Sequence, residues 1–217
     1  MNIIDILQKR YSTKEFDSAV KLTDEQVADI KSLLQLSPSS TNIQPWHFIV
    51  ATTEEGKARV AKSMQGFYSF NADKTMGASA VVVFATRVDI SDEYLLHVLD
   101  VEEKDGRFTE PEFKAQMHGG RSAFFGFHKY DYKDATHWAE KQVYLNLGNF
   151  LLGVAAMGLD ALPMEGCDMK ALNEEFGLTE KGFTASFCVA IGQHTGNDFN
   201  ASLPKSRLPQ SEIIEMV

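Results

Sequence analysis

Three polar clusters hold the residues best suited to binding an anion: Arg10-Tyr11-Ser12-Thr13-Lys14, the loop Ser37-Pro38-Ser39-Ser40-Thr41-Asn42 with Gln44-Pro45-Trp46, and Pro204-Lys205-Ser206-Arg207. Guanidinium and ammonium groups make charge-assisted hydrogen bonds to phosphate oxygens, while hydroxyls and backbone N–H groups add neutral donors. Taken singly, each cluster is a polar segment that water would solvate. Taken together, the basic residues from both ends of the chain could build one positive pocket for a phosphate monoester, with Ser12 as a further donor.

Other chemistries lack their signatures. No GxGxxG follows an expected strand, no GxxxxGK[ST] occurs, and no GxSxG elbow is present. His47, His97, His118, His128, His137 and His194 fall into no HExxH or zinc spacing, and Cys167 and Cys188 form no CxxC. These side chains read as structural. Two cysteines are too few for a disulfide framework, which points to a reducing compartment and hence the cytoplasm. A formal net charge of −9 repels nucleic acid and anionic membranes, so any phosphate site must be local.

The elements that must position these residues follow from periodicity. A short helix is expected over 3–9, and Thr23 with Gln26 forms a capping-box pattern ahead of Val27, Ile30, Leu33 and Leu34. Two prolines and a Ser/Thr/Asn cluster make 37–46 a loop that runs straight into a strand over 47–51. Helix over 54–64, strand over 80–86, a long central helix over 137–157, strand over 159–162, helix over 169–176 and strand over 184–191 follow. The middle reads as an irregular insertion with helical segments at 92–103 and 110–128, and the tail NDFNASLPKSRLPQ has no period and must dock on something. The longest apolar stretch, 145–162, is interrupted by Gly148, Gly153 and Gly158 and reads as a buried helix rather than a membrane span. Helices outnumber strands without strict βαβ alternation, which gives an α+β class in one domain spanning 1–217.

Long runs carry a more specific signal: RxSTK at 10–14, SPSSTNxQPWHFIVA at 37–51, TEEGKARVAKS at 53–63, QVYLNLGNFLLGVAAMGLDA at 142–161 and FNASLPKSRLP at 199–209. Through them the chain resembles, over essentially its whole length, the oxygen-insensitive FMN-dependent NAD(P)H nitroreductase family of enteric bacteria, with relatives among the flavin reductases of luminous bacteria. The resemblance implies a small, mainly antiparallel sheet surrounded by helices, in an intertwined homodimer. It implies tightly but non-covalently bound FMN, NADH or NADPH as electron donor, and nitroaromatics or quinones as acceptors. Hydride would pass through FMN N5 in two-electron, ping-pong fashion, with no amino acid as acid or base.

Residue by residue, the resemblance implies that Arg10, Ser12, Lys205 and Arg207 hold the FMN phosphate. Lys14, Asn71 and Lys74 would reach the pyrimidine edge of the ring, and Pro163, Glu165 and Gly166 the turn beside N5, with Tyr11, Thr13 and Gln142 as further cofactor contacts. Pro38, Ser39, Ser40 and Asn42 resemble the loop that a second subunit lends to the same flavin, and Thr41, Tyr68, Phe70 and Phe124 surround its open face. Lysines suit that edge: a cation ~4 Å from the negative charge of a reduced ring, at an effective dielectric of ~20, is worth about 4 kcal/mol. Tyr11 departs from the histidine of the closest enteric relatives, Ile43 from a small polar residue, and 90–133 matches least well.

Without the resemblance, Glu165 reads as a solvated turn residue and Phe124 as helix core. Two rival functions stand beside the nitroreductase: a flavin reductase acting on free FMN, and a non-catalytic flavin-binding protein, against which the aromatic open face argues.

Overall fold

The apolar runs expected as buried strands form the middle of one sheet. In the computed structural model, which describes residues 2–217, the strands are β1 (Trp46–Ala51), β2 (Ala80–Arg87), β3 (Asp160–Met164) and β4 (Phe183–Gly192). They lie in the order β1-β2-β4-β3, all antiparallel, with a register shift between Phe84 and Ala85. Among the described residues nine α-helices accompany them: α1 (Ile3–Lys9), α2 (Asp24–Gln35), α3 (Glu54–Ala61), α4 (Ala72–Gly77), α5 (Asp92–Lys104), α6 (Pro111–Gly126), α7 (Ala135–Ala156), α8 (Met169–Phe176) and α9 (Gln210–Ile213). The α+β class expected from the pattern is the class observed.

Side chains of a strand alternate between faces, and here each face has its own apolar layer. Val81, Val83, Ala85, Cys188 and Ala190 pack with Val60 of α3, Met64 and Leu172 of α8. Val82, Phe84, Phe187, Val189 and Ile191 pack with Ile30 and Leu34 of α2 and Val143, Phe150 and Val154 of α7. Each such fully buried large side chain contributes ~1.5–3 kcal/mol through lost apolar exposure. Because α7 is clamped between the sheet and α2, its polar residues Gln142, Tyr144 and Asn146 sit at fixed heights. Asn146 Nδ2 donates to Leu34 O at 2.8 Å, tying α7 to the end of α2.

The expected helices over 3–9 and 169–176 have these bounds. Thr23 caps α2 as a capping box, with Thr23 Oγ1 accepting from Gln26 N at 3.1 Å and Gln26 Oε1 from Thr23 N at 2.9 Å. Two expectations change. The helix expected to reach residue 64 ends at Ala61 and continues as tight turns through Ser63 and Met64. The insertion over 90–133 is not irregular: α5 and α6 form a helical hairpin that closes in a π-helical turn, Phe127–Asp131. Ser91 caps α5, Pro111 opens α6 at its first turn, and Lys114 meets Glu103 at 2.6 Å across the hairpin. The helical segments expected at 92–103 and 110–128 are α5 and α6, and the hairpin buries apolar Leu95 and Phe125 in one cluster as well as joining charged side chains. Ile43 is fully buried against Ile90, Leu95, Phe125, Trp138 and Ala139, so it anchors the 37–46 loop on this hairpin.

The aperiodic tail docks only in part. Lys205 Nζ donates to the backbone carbonyls of Leu7 and Arg10, whereas Leu208, Ile213, Ile214, Met216 and Val217 stay exposed on this chain. Among the described residues no helix is long and apolar enough to cross a membrane.

Candidate active site

The two chain ends meet beside β3. Ser12 bridges Ala161 in parallel register, Phe16 bridges His194, and Asp17 N donates to Gln193 O at 2.8 Å. Buried Asp198 completes the join, accepting on Oδ2 from Tyr11 Oη at 3.2 Å and from Lys14 N at 3.0 Å, and on Oδ1 from Asn200 N at 3.0 Å. Asn200 Nδ2 in turn donates to Ser12 O at 2.7 Å. The clasp lies beside a cavity of ≈ 530 Å³ whose lining includes Arg10, Tyr11, Ser12, Asn200, Lys205 and Arg207 and contains no carboxylate.

Those cations are uncompensated. Among the described residues none of Arg10, Lys14, Lys74, Lys205 and Arg207 belongs to an ion pair. Partial burial, then the charge of Arg207, lowers the pKa of Arg10; partial burial, then Arg10 and Arg207, lowers that of Lys205. Mutual repulsion of this kind is relieved by an anion. Burial first, with Asp198 and Asp160 adding to it, pushes the Tyr11 phenol up to about 12, so it is a neutral donor to Asp198. Tyr11 thus serves the clasp.

A second group surrounds Gly166. Asn71 Nδ2 donates to Gly166 O at 2.9 Å, and Lys74 Nζ donates to Asn71 Oδ1 at 3.2 Å and to Phe70 O. Desolvation and then the charge of Lys14 lower the Lys74 pKa, which brings Lys14 within electrostatic reach of the same corner. A Cβ on Gly166 would lie 2.8 Å from Asn71 Nδ2 and 2.9 Å from Phe70 Cζ, so a side chain here would displace Asn71 and Phe70 from the corner. Next to it, Glu165 Oε1 accepts from Tyr144 Oη at 2.7 Å, and burial followed by Glu165 raises the Tyr144 pKa. Pro163 sits in β3 opposite Val189, leading into this turn.

The third group is the 37–46 loop. Thr41, Asn42 and Gln44 have φ of 49°, 54° and 45°, the left-handed region that non-glycine residues seldom adopt. Gln142 Oε1 of α7 accepts from Ser40 N at 2.8 Å, and Ser39 Oγ accepts from Gln44 N at 2.9 Å. Pro38 precedes them. Thr41 shares a cavity of ≈ 580 Å³ with Phe113, Met117, Gly120, Arg121 and Phe124 of α6. The Phe124 ring, 41% exposed as a residue, has its flank set by His128 at 5.3 Å and Trp138 at 6.0 Å.

Arg10, Ser12, Lys205 and Arg207 are therefore brought together, as are Asn71, Lys74 and Gly166, and Thr41 with Phe124. The four residues expected around one open face are divided: Tyr68 and Phe70 lie with Asn71, in the turn Gly66–Asn71, while Thr41 and Phe124 lie with α6. Among the described residues no hydrogen bond joins the loop of Pro38, Ser39, Ser40 and Asn42 to the cationic clusters of the same chain. Asp198, Asn200, Tyr144, Glu102 and Arg121 were not expected from sequence; Asp198 and Asn200 have partners at the other end of the chain, and Tyr144 and Arg121 meet Glu165 and Glu102 on separate elements, so no local pattern marks them. Among the described residues no cluster of three or more His, Cys, Asp or Glu is placed to hold a metal ion. A carboxylate-free cradle beside a glycine-backed corner with two lysines suits a phosphomonoester carried on a planar, electron-accepting ring. Thr41 Oγ1, buried with no hydrogen-bond partner among the described residues, leaves further polar capacity at the other cavity.

Comparison with known proteins gives concordant results. Residues 7–193 match the Nitroreductase family. The chain is 60% identical over 214 residues to an oxygen-insensitive NAD(P)H nitroreductase of Enterobacter cloacae, covering 99% of both. It is 34% identical over 219 residues to the major NAD(P)H-flavin oxidoreductase of Aliivibrio fischeri, covering 99% of this chain and 98% of that one. A protein from Exiguobacterium sibiricum assigned as a nitroreductase and crystallised with FMN shares the fold, with a TM-score of 0.82 at 24% identity, covering 100% of this chain and 98% of that one.

Proposed function

The chain belongs to the nitroreductase family, and from that membership we propose that it is an FMN-dependent NAD(P)H oxidoreductase that reduces nitroaromatic compounds and quinones as a cytoplasmic homodimer. The observation that carries this reading is the cradle of Arg10, Ser12, Lys205 and Arg207, positive and free of carboxylates in a chain of net charge −9. When bound, FMN supplies two-electron hydride transfer through N5, first from NADH or NADPH and then to the acceptor, in ping-pong order.

This chain's residues bind and orient. Arg10, Lys205 and Arg207 neutralise the phosphate dianion, with Ser12 as a neutral donor. Lys14 and Lys74 would place positive charge at the pyrimidine edge, where reduction leaves negative charge, and Asn71 fixes Lys74 by accepting a hydrogen bond from its Nζ on Oδ1 at 3.2 Å. Gly166, with no side chain to displace Asn71 and Phe70, would leave its backbone open to the ring, and Tyr144 holds the Glu165 carboxylate at the same turn. Tyr11, Thr13, Pro163 and Gln142 support the surrounding backbone. Pro38, Ser39, Ser40 and Asn42 complete the site from the second subunit, which would reunite Thr41 and Phe124 with Tyr68 and Phe70 as walls for flat substrates. The chain works as one FMN-binding domain.

Likeness to a flavin oxidoreductase supports a second reading in which free FMN is the acceptor. Anaerobic mixing of the purified yellow protein with NADPH, followed by nitrofurazone, menadione or free FMN, tests both. Rapid bleaching and recovery of the visible spectrum with the nitro compound and the quinone are expected. A bound flavin that stays oxidised for minutes overturns the enzyme reading, and turnover confined to free FMN replaces it with the second.

A further inference from the structure

Arg121 and Glu102 form an ion pair whose side chains are 0% and 4% exposed. One guanidinium nitrogen, Arg121 Nη2, meets both Glu102 oxygens at 2.7 Å. An ion pair so far from water is seldom more stable than well-packed apolar residues of the same volume, because desolvation offsets its attraction. Stability alone is therefore a weak reason for placing it there.

Among the described residues its other side-chain hydrogen bonds go to one place. Arg121 Nε donates to Thr41 O at 2.9 Å, and Glu102 Oε1 accepts from Asn42 Nδ2 at 2.8 Å. From the same α5 helix, Tyr94 Oη reaches Ile43 O and Gln44 O, each at 2.8 Å. The segment so held is the one with positive φ at Thr41, Asn42 and Gln44. Each such residue costs ~1–3 kcal/mol, most for β-branched Thr41, and persists only where its surroundings over-determine it. Arg121 lies one turn before Phe124 on α6, so the same guanidinium fixes Thr41 relative to Phe124 across the cavity they line.

We propose that Arg121 and Glu102 are positioning residues for the acceptor site: their buried pair holds Thr41, Asn42 and Gln44 in the left-handed conformation and sets the spacing between the Thr41 and Phe124 walls. The inference rests on the functional reading above. It predicts that breaking the pair loosens acceptor binding while the fold survives.

The test compares the wild-type holoenzyme with Arg121→Met/Glu102→Leu, which removes both charges and leaves neither buried alone, and with Arg121→Lys, which keeps the charge but loses the fork to Thr41. Amide hydrogen exchange at residues 39–45, the thermal midpoint, and kcat and KM for nitrofurazone are read on each. The double variant should keep its thermal midpoint, exchange at least roughly tenfold faster at 39–45 and show a KM raised at least roughly tenfold with kcat changed less, because both charge-assisted hydrogen bonds to the loop, at Thr41 O and Asn42 Nδ2, are lost. Arg121→Lys should fall between. Unchanged exchange and KM in a folded double variant overturn the proposal. Should the double variant not fold, unchanged values in Arg121→Lys do the same. A wild type that neither holds FMN nor turns over overturns the functional reading instead.

Discussion

Asp198 does for the cationic cradle what none of its cations can do: it fixes the two chain ends against each other. Its oxygens satisfy Tyr11 Oη, Lys14 N and Asn200 N from a buried position. An amide in its place cannot present two acceptors to all three donors, and leaving a buried donor unpaired costs ~1–3 kcal/mol. Asp198→Asn should therefore weaken FMN binding roughly tenfold while riboflavin, which lacks the phosphate, loses clearly less. Fluorescence titration of the apoprotein with each ligand measures this, and equal losses would assign Asp198 to the ring or the fold. At this scale sequence shows half of the site. Arg10, Lys14, Lys205 and Arg207 stand out because basic loop residues are conspicuous in an acidic chain. Asp198, Tyr144 and Glu102 do not, since a carboxylate or phenol acquires its meaning only from the donor or acceptor that folding brings to it.

The short helix α4 shows how an element holds a site it could not hold alone. Six residues are too few for a helix to persist by propensity, and its end must be satisfied from outside. Lys57, buried in α3, provides this: its Nζ donates to Met76 O and Ala78 O, both at 2.8 Å, and meets Glu54 at 2.9 Å. Lys57→Met keeps the stem volume but strands both carbonyls, so urea unfolding should show a loss of about 2–4 kcal/mol. Because α4 carries Lys74, the flavin should be released before the main transition. An unchanged urea midpoint would mean that water caps α4 equally well. Periodicity announces α2 and α7, whose apolar positions face the core at helical spacing. It describes α6 less well, because Phe113, Met117 and Phe124 are half exposed around a cavity and the buried residues of the helix are one apolar, Phe125, and one charged, Arg121. The helical segments of the hairpin are therefore legible, but its hold on the loop is not, because Arg121 and Glu102 join Thr41 and Asn42 only once the chain is folded, beside the apolar anchor Ile43.

On the scale of the whole molecule, the chain has exposed apolar surface in the wrong place for a monomer. Leu203, Leu208, Ile213, Ile214, Met216 and Val217 lie exposed in the tail that carries Lys205 and Arg207, two of the cradle's cations. Exposed apolar residues in the segment that carries Lys205 and Arg207 are what the proposed dimer would cover. A second copy covering the tail would bury those residues and at the same time deliver the loop of Ser39, Ser40 and Asn42 to a cradle that its own chain does not reach. Cofactor affinity and self-association are then one equilibrium, since a ligand that binds only the dimer stabilises it by mass action. Light scattering should give twice the 24.2 kDa chain mass, and dilution should release FMN and dissociate the dimer over the same concentration range. Deleting residues 208–217 should move both transitions together to higher concentration, the tail's apolar contacts being lost. A truncated chain that is monomeric yet binds FMN as tightly as the full dimer would separate the two equilibria and show each cradle to be complete within one subunit.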